Sequence, residues 1–141
     1  MMKKTTQAAL AAALLVLVSG QGFAAVQDDA RAHFKAIADG NTAGIMQQYA
    51  SNAHLDWVGG PLDGSYATPE AIGGVWNKFT TAQGRLNHKV ADLQEVSNPK
   101  GSTVTAQVSF IGKSTINVFY VLTYREGKIV NETWQIAPVK G

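Results

Sequence analysis

Thr103-Val104-Thr105-Ala106-Gln107-Val108-Ser109-Phe110 alternates polar and apolar residues without a break. Successive side chains of a strand point to opposite faces, so this stretch has one wet face and one dry face. Ile116 to Tyr124 follows and is apolar on both faces, with Ile116, Val118, Tyr120, Leu122 and Tyr124 on one and Phe119 and Val121 on the other. That pattern predicts a central strand. Arg125-Glu126-Gly127-Lys128 then reads as a hairpin turn and Ile129 to Ile136 as the last strand. Upstream, Leu86 to Val96 reads as a strand of weaker alternation, turned back by Asn98-Pro99-Lys100-Gly101.

Before Leu86 the apolar period is helical. Ala30, Phe34, Ile37 and Ala38 make one buried stripe, started by Asp28 and Asp29 and ended by Gly40. Thr42 is placed to cap a short second helix with Ile45, Met46 and Tyr49 on its apolar side. Ala53 to Val58 predicts an early strand, and Gly59-Gly60-Pro61-Leu62-Asp63-Gly64 a turn-rich loop. Thr68-Pro69-Glu70 starts a third helix with a cap, a first-turn proline and an acid. Its stripe is Ile72, Val75, Trp76 and Phe79, and Gly84 closes it.

Helices gathered on one side of an antiparallel sheet make an α+β domain. The expected architecture is a cone: a strongly bent antiparallel sheet packed over three N-terminal helices, with an internal cavity.

The start of the chain carries a different message. Lys3 and Lys4 precede the uncharged apolar run Ala8 to Val18, and Gly22-Phe23-Ala24 offers small residues for cleavage. Residues 1–24 are therefore expected to be a bacterial-type signal peptide and residues 25–141 the domain, exported to the periplasm or secreted. The run is shorter than the ~20 apolar residues that span a bilayer. Removing Lys3 and Lys4 from the 12 basic residues brings them level with the 10 acidic ones. No basic stripe remains, so neither nucleic acid nor, after signal removal, a membrane is an expected partner. With no cysteine, no disulfide staples the fold.

Ala38-Asp39-Gly40-Asn41-Thr42-Ala43-Gly44-Ile45, Tyr49-Ala50-Ser51-Asn52-Ala53-His54-Leu55-Asp56-Trp57, Gly64, the helix from Thr68 and Glu126-Gly127-Lys128-Ile129-Val130 resemble the nuclear transport factor 2-like superfamily. That group includes ketosteroid isomerase, scytalone dehydratase and the SnoaL-like polyketide cyclases. The stretches Trp57 to Gly64, Val75 to Phe79 and Asn131 to Ile136 look like an uncharacterised exported subgroup. The resemblance implies a pocket between helices and sheet and specifies no chemistry. Carried over onto this sequence, the isomerase's oxyanion tyrosine falls at His33. Its general-base aspartate falls at Trp57, one residue after Asp56, and its hydrogen-bond-donating aspartate near Tyr120. Donors remain and the base does not, which argues against that mechanism. A working pair of histidines, as in scytalone dehydratase, is not evident.

Three residues are candidates for catalysis: Glu132, Asp56 and His33. Alternation puts Val130, Glu132, Trp134 and Ile136 on one face of the last strand, where the resemblance implies a pocket. A carboxylate between valine and tryptophan suits acid–base work when it faces inward. On a twisted or edge strand it faces water instead. Asp56 shares a face with His54 and is a base with a partner, one of two metal ligands, or a surface acid holding the Gly59-Gly60 turn. His33, His54 and His88 lack metal-site spacing, so no metal and no cofactor is expected. His33 either donates into a cavity or is satisfied by a neighbouring carbonyl.

Trp57, Trp76 and Trp134 come from the early strand, the third helix and the last strand. With Phe79, Tyr49 and Tyr120 they are either the walls of a ligand pocket or plain core. The expected function is binding of a small, mainly apolar molecule in that pocket. The alternatives are a cofactor-independent isomerase, cyclase or dehydratase with Glu132 or Asp56 as base and His33 or Tyr120 as oxyanion donor, and a non-catalytic homodimeric assembly module. The polar, flat face of Thr103, Thr105, Gln107, Ser109, Thr115, Asn117 and Thr123 suits the last.

Overall fold

The computed structural model describes residues 26–138, and the expected signal at residues 1–24 lies outside them. Helix α1 occupies residues 26–39 and buries Ala30, His33, Phe34, Ile37 and Ala38. Gly40 leaves it with φ +71, a conformation that costs glycine least. Helix α2 is Thr42–Met46, and its cap is Asn41, whose side chain accepts from the Gly44 N–H at 3.0 Å. Thr42 sits inside the helix instead of capping it. Helix α3 is Pro69–Gln83, capped by Thr68, whose hydroxyl accepts from the Ala71 N–H. Its buried stripe is Ile72, Val75, Trp76 and Phe79.

Six strands form one open, mixed sheet in the order β2-β1-β6-β5-β4-β3. Strand β1 is Tyr49–Val58, β2 Gly64–Tyr66, β3 Asn87–Asn98, β4 Gly101–Ile111, β5 Thr115–Arg125 and β6 Lys128–Ile136. All neighbours are antiparallel except β1 and β6, which run parallel. Two features depart from the sequence pattern. Tyr49 starts β1 instead of ending α2, and the short edge strand β2 starts at Gly64, the last residue of the turn-rich loop. The weak alternation of β3 has a local cause: the register shifts between Ala91 and Gln94, around Asp92 at φ 54. Bulges of this kind bend and twist a sheet.

A second shift decides what β6 presents inward. The register with β5 slips between Thr123 and Tyr124, so Ile129 pairs with Tyr124 while Asn131 pairs with Thr123. Val130 is the extra residue. Ile129, Glu132 and Trp134 are fully buried and Val130 is half-exposed. The inward face of β6 therefore starts with Ile129, where strict alternation places Val130. On β5 the inward set is Val118, Tyr120, Leu122 and Tyr124. Phe34 of α1 meets Tyr120 with ring centroids 4.7 Å apart, which seats α1 on the centre of the sheet.

Candidate functional site

The helices and the concave sheet face enclose a polar chain in an otherwise apolar core. The His33 Nε2 of α1 lies 3.1 and 3.2 Å from the two carboxylate oxygens of Glu132 on β6. The Tyr49 hydroxyl of β1 donates to Glu132 Oε1. It accepts in turn from the Trp76 Nε1–H of α3 at 2.8 Å. The chain runs Trp76 to Tyr49 to Glu132, with His33 closing on the same carboxylate. Between them the Tyr49 hydroxyl and the His33 imidazole engage both carboxylate oxygens, and a buried polar group needs such partners. Each member comes from a different element, so the chain also ties α1, α3, β1 and β6 together.

Around this carboxylate lie polar atoms without partners. The hydroxyls of Tyr120 and Tyr124, Trp134 Nε1 and His33 Nδ1 are buried and unbonded among the described residues. Burial, reinforced by the negative charge of Glu132, pushes the phenols of Tyr49 and Tyr120 well above their ordinary range. Tyr124 moves the same way for the same reasons. These hydroxyls stay protonated and can only act as donors or acceptors of hydrogen bonds.

Outside the polar chain stands an aromatic layer. Trp134 is stacked between Trp57, at 4.3 Å and 24°, and Phe110, at 5.4 Å and 11°. Trp76 and Phe79 meet its edges at 5.5 and 5.2 Å. Such offset and edge-on pairs stabilise beyond the area they bury. Trp76 belongs to both zones, with its N–H in the polar chain and its ring in this layer.

Beyond the layer an open pocket of about 310 Å³ lies between the second half of α3, the loop after β1 and the ends of β5 and β6. Its floor is Trp57, Phe79 and Trp134, and its walls include Leu62, Ile116 and Ile136. Lys78 is its only charged lining residue, and neither a carboxylate nor an imidazole lines it. The loop is held in place by its own hydrogen bonds. Asp63 Oδ1 accepts from the Gly59 N–H at 2.7 Å, and the Tyr66 hydroxyl donates to the Leu62 carbonyl at 2.7 Å. The volume lies at the small end of the range of ligand pockets.

The architecture can now be compared with solved structures. A ketosteroid isomerase-like protein from Erwinia carotovora matches with a TM-score of 0.65 at 10% identity, over 82% of this chain and 96% of its own. The nuclear transport factor 2-like fold is the one they share. A nuclear transport factor 2-like protein of unknown function from Burkholderia xenovorans has that fold too, with a TM-score of 0.65 at 17% identity, over 83% and 87% of the two chains. A protein of unknown function described as having a cystatin-like fold, from Nostoc punctiforme, matches as well, with a TM-score of 0.68 at 11% identity, over 81% and 90% of the two chains. The chain matches no protein-family model and no curated protein.

Within the nuclear transport factor 2-like fold the sequence-predicted residues divide into three places. Glu132, His33, Tyr49 and Trp76 form the deep polar chain, with Tyr120 beside it. Trp57, Phe79 and Trp134 meet the pocket. Asp56 lies on the outside, 42% exposed in its side chain, with His54 Nε2 3.0 Å away. The Ser65 hydroxyl of β2 donates to the same oxygen. That bond, before the imidazole, holds the Asp56 carboxyl below its ordinary range. An exposed carboxylate that resists protonation is a poor general base. Alternation had placed Ile136 on the pocket-facing side, while Leu62 and Ile116 escaped the sequence reading as pocket residues. A lone apolar residue inside a glycine-rich turn was the available signal for Leu62.

Proposed function

We propose that the protein is an exported binder of a small, mainly apolar molecule, held against Trp57, Phe79 and Trp134. One observation carries this reading: the pocket is walled by apolar side chains and no general base lines it. The carboxylate that could do chemistry, Glu132, is fully buried behind the aromatic layer and already accepts two donors. The signal-like residues 1–24 support the periplasm as the place of action, with cleavage leaving a domain from residue 25. Quenching of tryptophan fluorescence by a flat aromatic probe such as 2-naphthol tests the binding. Sub-millimolar quenching that Leu62→Gln weakens is expected. No response up to the probe's solubility limit, and no small molecule retained on protein purified from the periplasm, would remove the reading.

A second reading rests on the unpartnered phenols. With Glu132 as base and the free Tyr120 hydroxyl as oxyanion donor, the deep site has the groups for cofactor-free isomerisation, cyclisation or dehydration. It requires the aromatic layer to part and admit a substrate. A ligand that exchanges a carbon-bound proton for deuterium on the wild type, and not on Glu132→Gln, distinguishes it from simple binding. A third reading, self-association through the outer sheet face, is favoured by Phe119, which is 40% exposed there. Sedimentation of wild type and Phe119→Asp separates dimer from monomer.

A further inference from the structure

We propose that the pocket floored by Trp57, Phe79 and Trp134 takes a small apolar monocarboxylate, with the Lys78 ammonium holding its carboxylate at the rim. The inference rests on that pocket being a binding site and names the class of molecule it takes.

The lining has two unlike parts. Leu62 of the loop after β1, Ala82 of α3, and Ile116 and Ile136 of the sheet surround the aromatic floor with side chains that form no hydrogen bonds. Apart from the indoles, the polar side chains of the lining are Lys78 and Gln83, both exposed and both on α3. Polar partners therefore stand on one side only. A molecule with an apolar body and one polar end matches that layout, and a volume of about 310 Å³ suits a body of one or two rings.

Lys78 is unengaged. The ion pairs among the described residues are His33–Glu132, Lys35–Asp39 and His54–Asp56, so no protein carboxylate neutralises it. Asp63, the carboxylate of the adjoining loop, is turned back onto the Gly59 N–H at 2.7 Å. Lys78 also lies more than a turn before the end of α3 at Gln83. An anion on its ammonium meets the flank of the helix, away from the bare carbonyls of the last turn. A single ammonium is a point charge that matches one negative charge. A doubly charged phosphate monoester is better matched by a guanidinium fork, and no arginine lines the pocket. At the rim the carboxylate keeps part of its hydration while the apolar body is buried, which avoids the cost of burying a charge.

The test compares 2-naphthoate with 2-naphthamide, which has the same shape and no charge, by calorimetric titration at low ionic strength. An exposed ion pair contributes a factor of about two to five in affinity. The naphthoate-to-naphthamide affinity ratio should fall by that factor in Lys78→Gln and further in Lys78→Glu. It should not change in Lys100→Gln, whose site in the β3–β4 turn is at the opposite end of the sheet from Ile116. Added salt should lower the ratio for the wild type. Lys78 and Lys100 are both exposed, and circular dichroism checks that the variants fold. If naphthamide binds and the ratio is the same in Lys78→Gln as in the wild type, the carboxylate is overturned and the pocket remains a binding site. If neither probe binds, both fall.

Discussion

The imidazole of His33 on α1 grips both oxygens of the Glu132 carboxylate on β6, across 99 residues of sequence, and both side chains are fully buried. A buried, hydrogen-bonded polar pair so placed contributes little net stability against an apolar replacement of the same shape, yet losing one partner is costly. The two residues fix the seat of α1 on the sheet.

Glu132→Ala should therefore cost about 3–5 kcal/mol, because His33 and Tyr49 lose their acceptor inside the core. Glu132→Gln should cost less, about 1–3 kcal/mol, since its amide oxygen still accepts one donor. Urea unfolding midpoints measure both, and a near-neutral Glu132→Ala would remove the polar chain as a structural element.

Alkaline pH should unfold the protein steeply. The phenols of Tyr49, Tyr120 and Tyr124 are all raised in the folded state. Unfolding frees them to ionise near pH 10, so their stabilisation is complete below that value and falls above it. The slope is about 1.4 kcal/mol per pH unit for each phenol. Absorbance at 295 nm should show these three tyrosines ionising together with loss of the near-ultraviolet dichroism. Ionisation of all three with the fold intact would contradict their burial.

Trp134→Ala should cost about 3–5 kcal/mol, as expected for a core aromatic. The indole is sandwiched by Trp57 and Phe110 and has no solvent exposure. It is core first and pocket floor second. Thermal melting of the variant against wild type reads this directly.

Gly60→Ala probes the pocket rim. Gly60 has φ +76, and an added Cβ would stand 2.9 Å from Ile136 Cδ1. The backbone strain alone costs about 1–2 kcal/mol, and Ile136 must shift away from the pocket it lines. Lower stability and weaker probe binding are expected together.

On the outer face, Ser65→Ala should raise the Asp56 pKa towards the ordinary carboxylate value, because the hydroxyl is the main cause of its depression. A depressed carboxyl contributes stability above its ordinary pKa and loses it as pH falls. The variant should therefore resist acid slightly less well. Carboxyl-carbon NMR titration of Asp56 gives the direction, and an unchanged value would mean that His54 alone holds it.

Much of this was legible in the chain. The period of 2 after Thr103 and the stripe Ile72, Val75, Trp76, Phe79 correspond to β4, β5 and α3. Glu132 was legible as inward-facing, although the Val130 bulge shows that strict alternation reached that face by the wrong neighbour. Periodicity counts residues and cannot see an inserted one. The grip of His33 on Glu132 was illegible for a different reason. A histidine in a helical stripe carries no record of what stands opposite it.

Local pattern and composition, which depend only on neighbours along the chain, determined the helices, most strands and the α+β layout. Tertiary structure alone decided the parallel pairing of β1 with β6, which sets Trp57 level with Trp134. It also separated the aromatic residues into those of the deep polar chain and those that floor the pocket, and brought Ser65 to Asp56. Those outcomes depend on which strand lies beside which, and strand adjacency is settled by packing over distances that no sequence window contains.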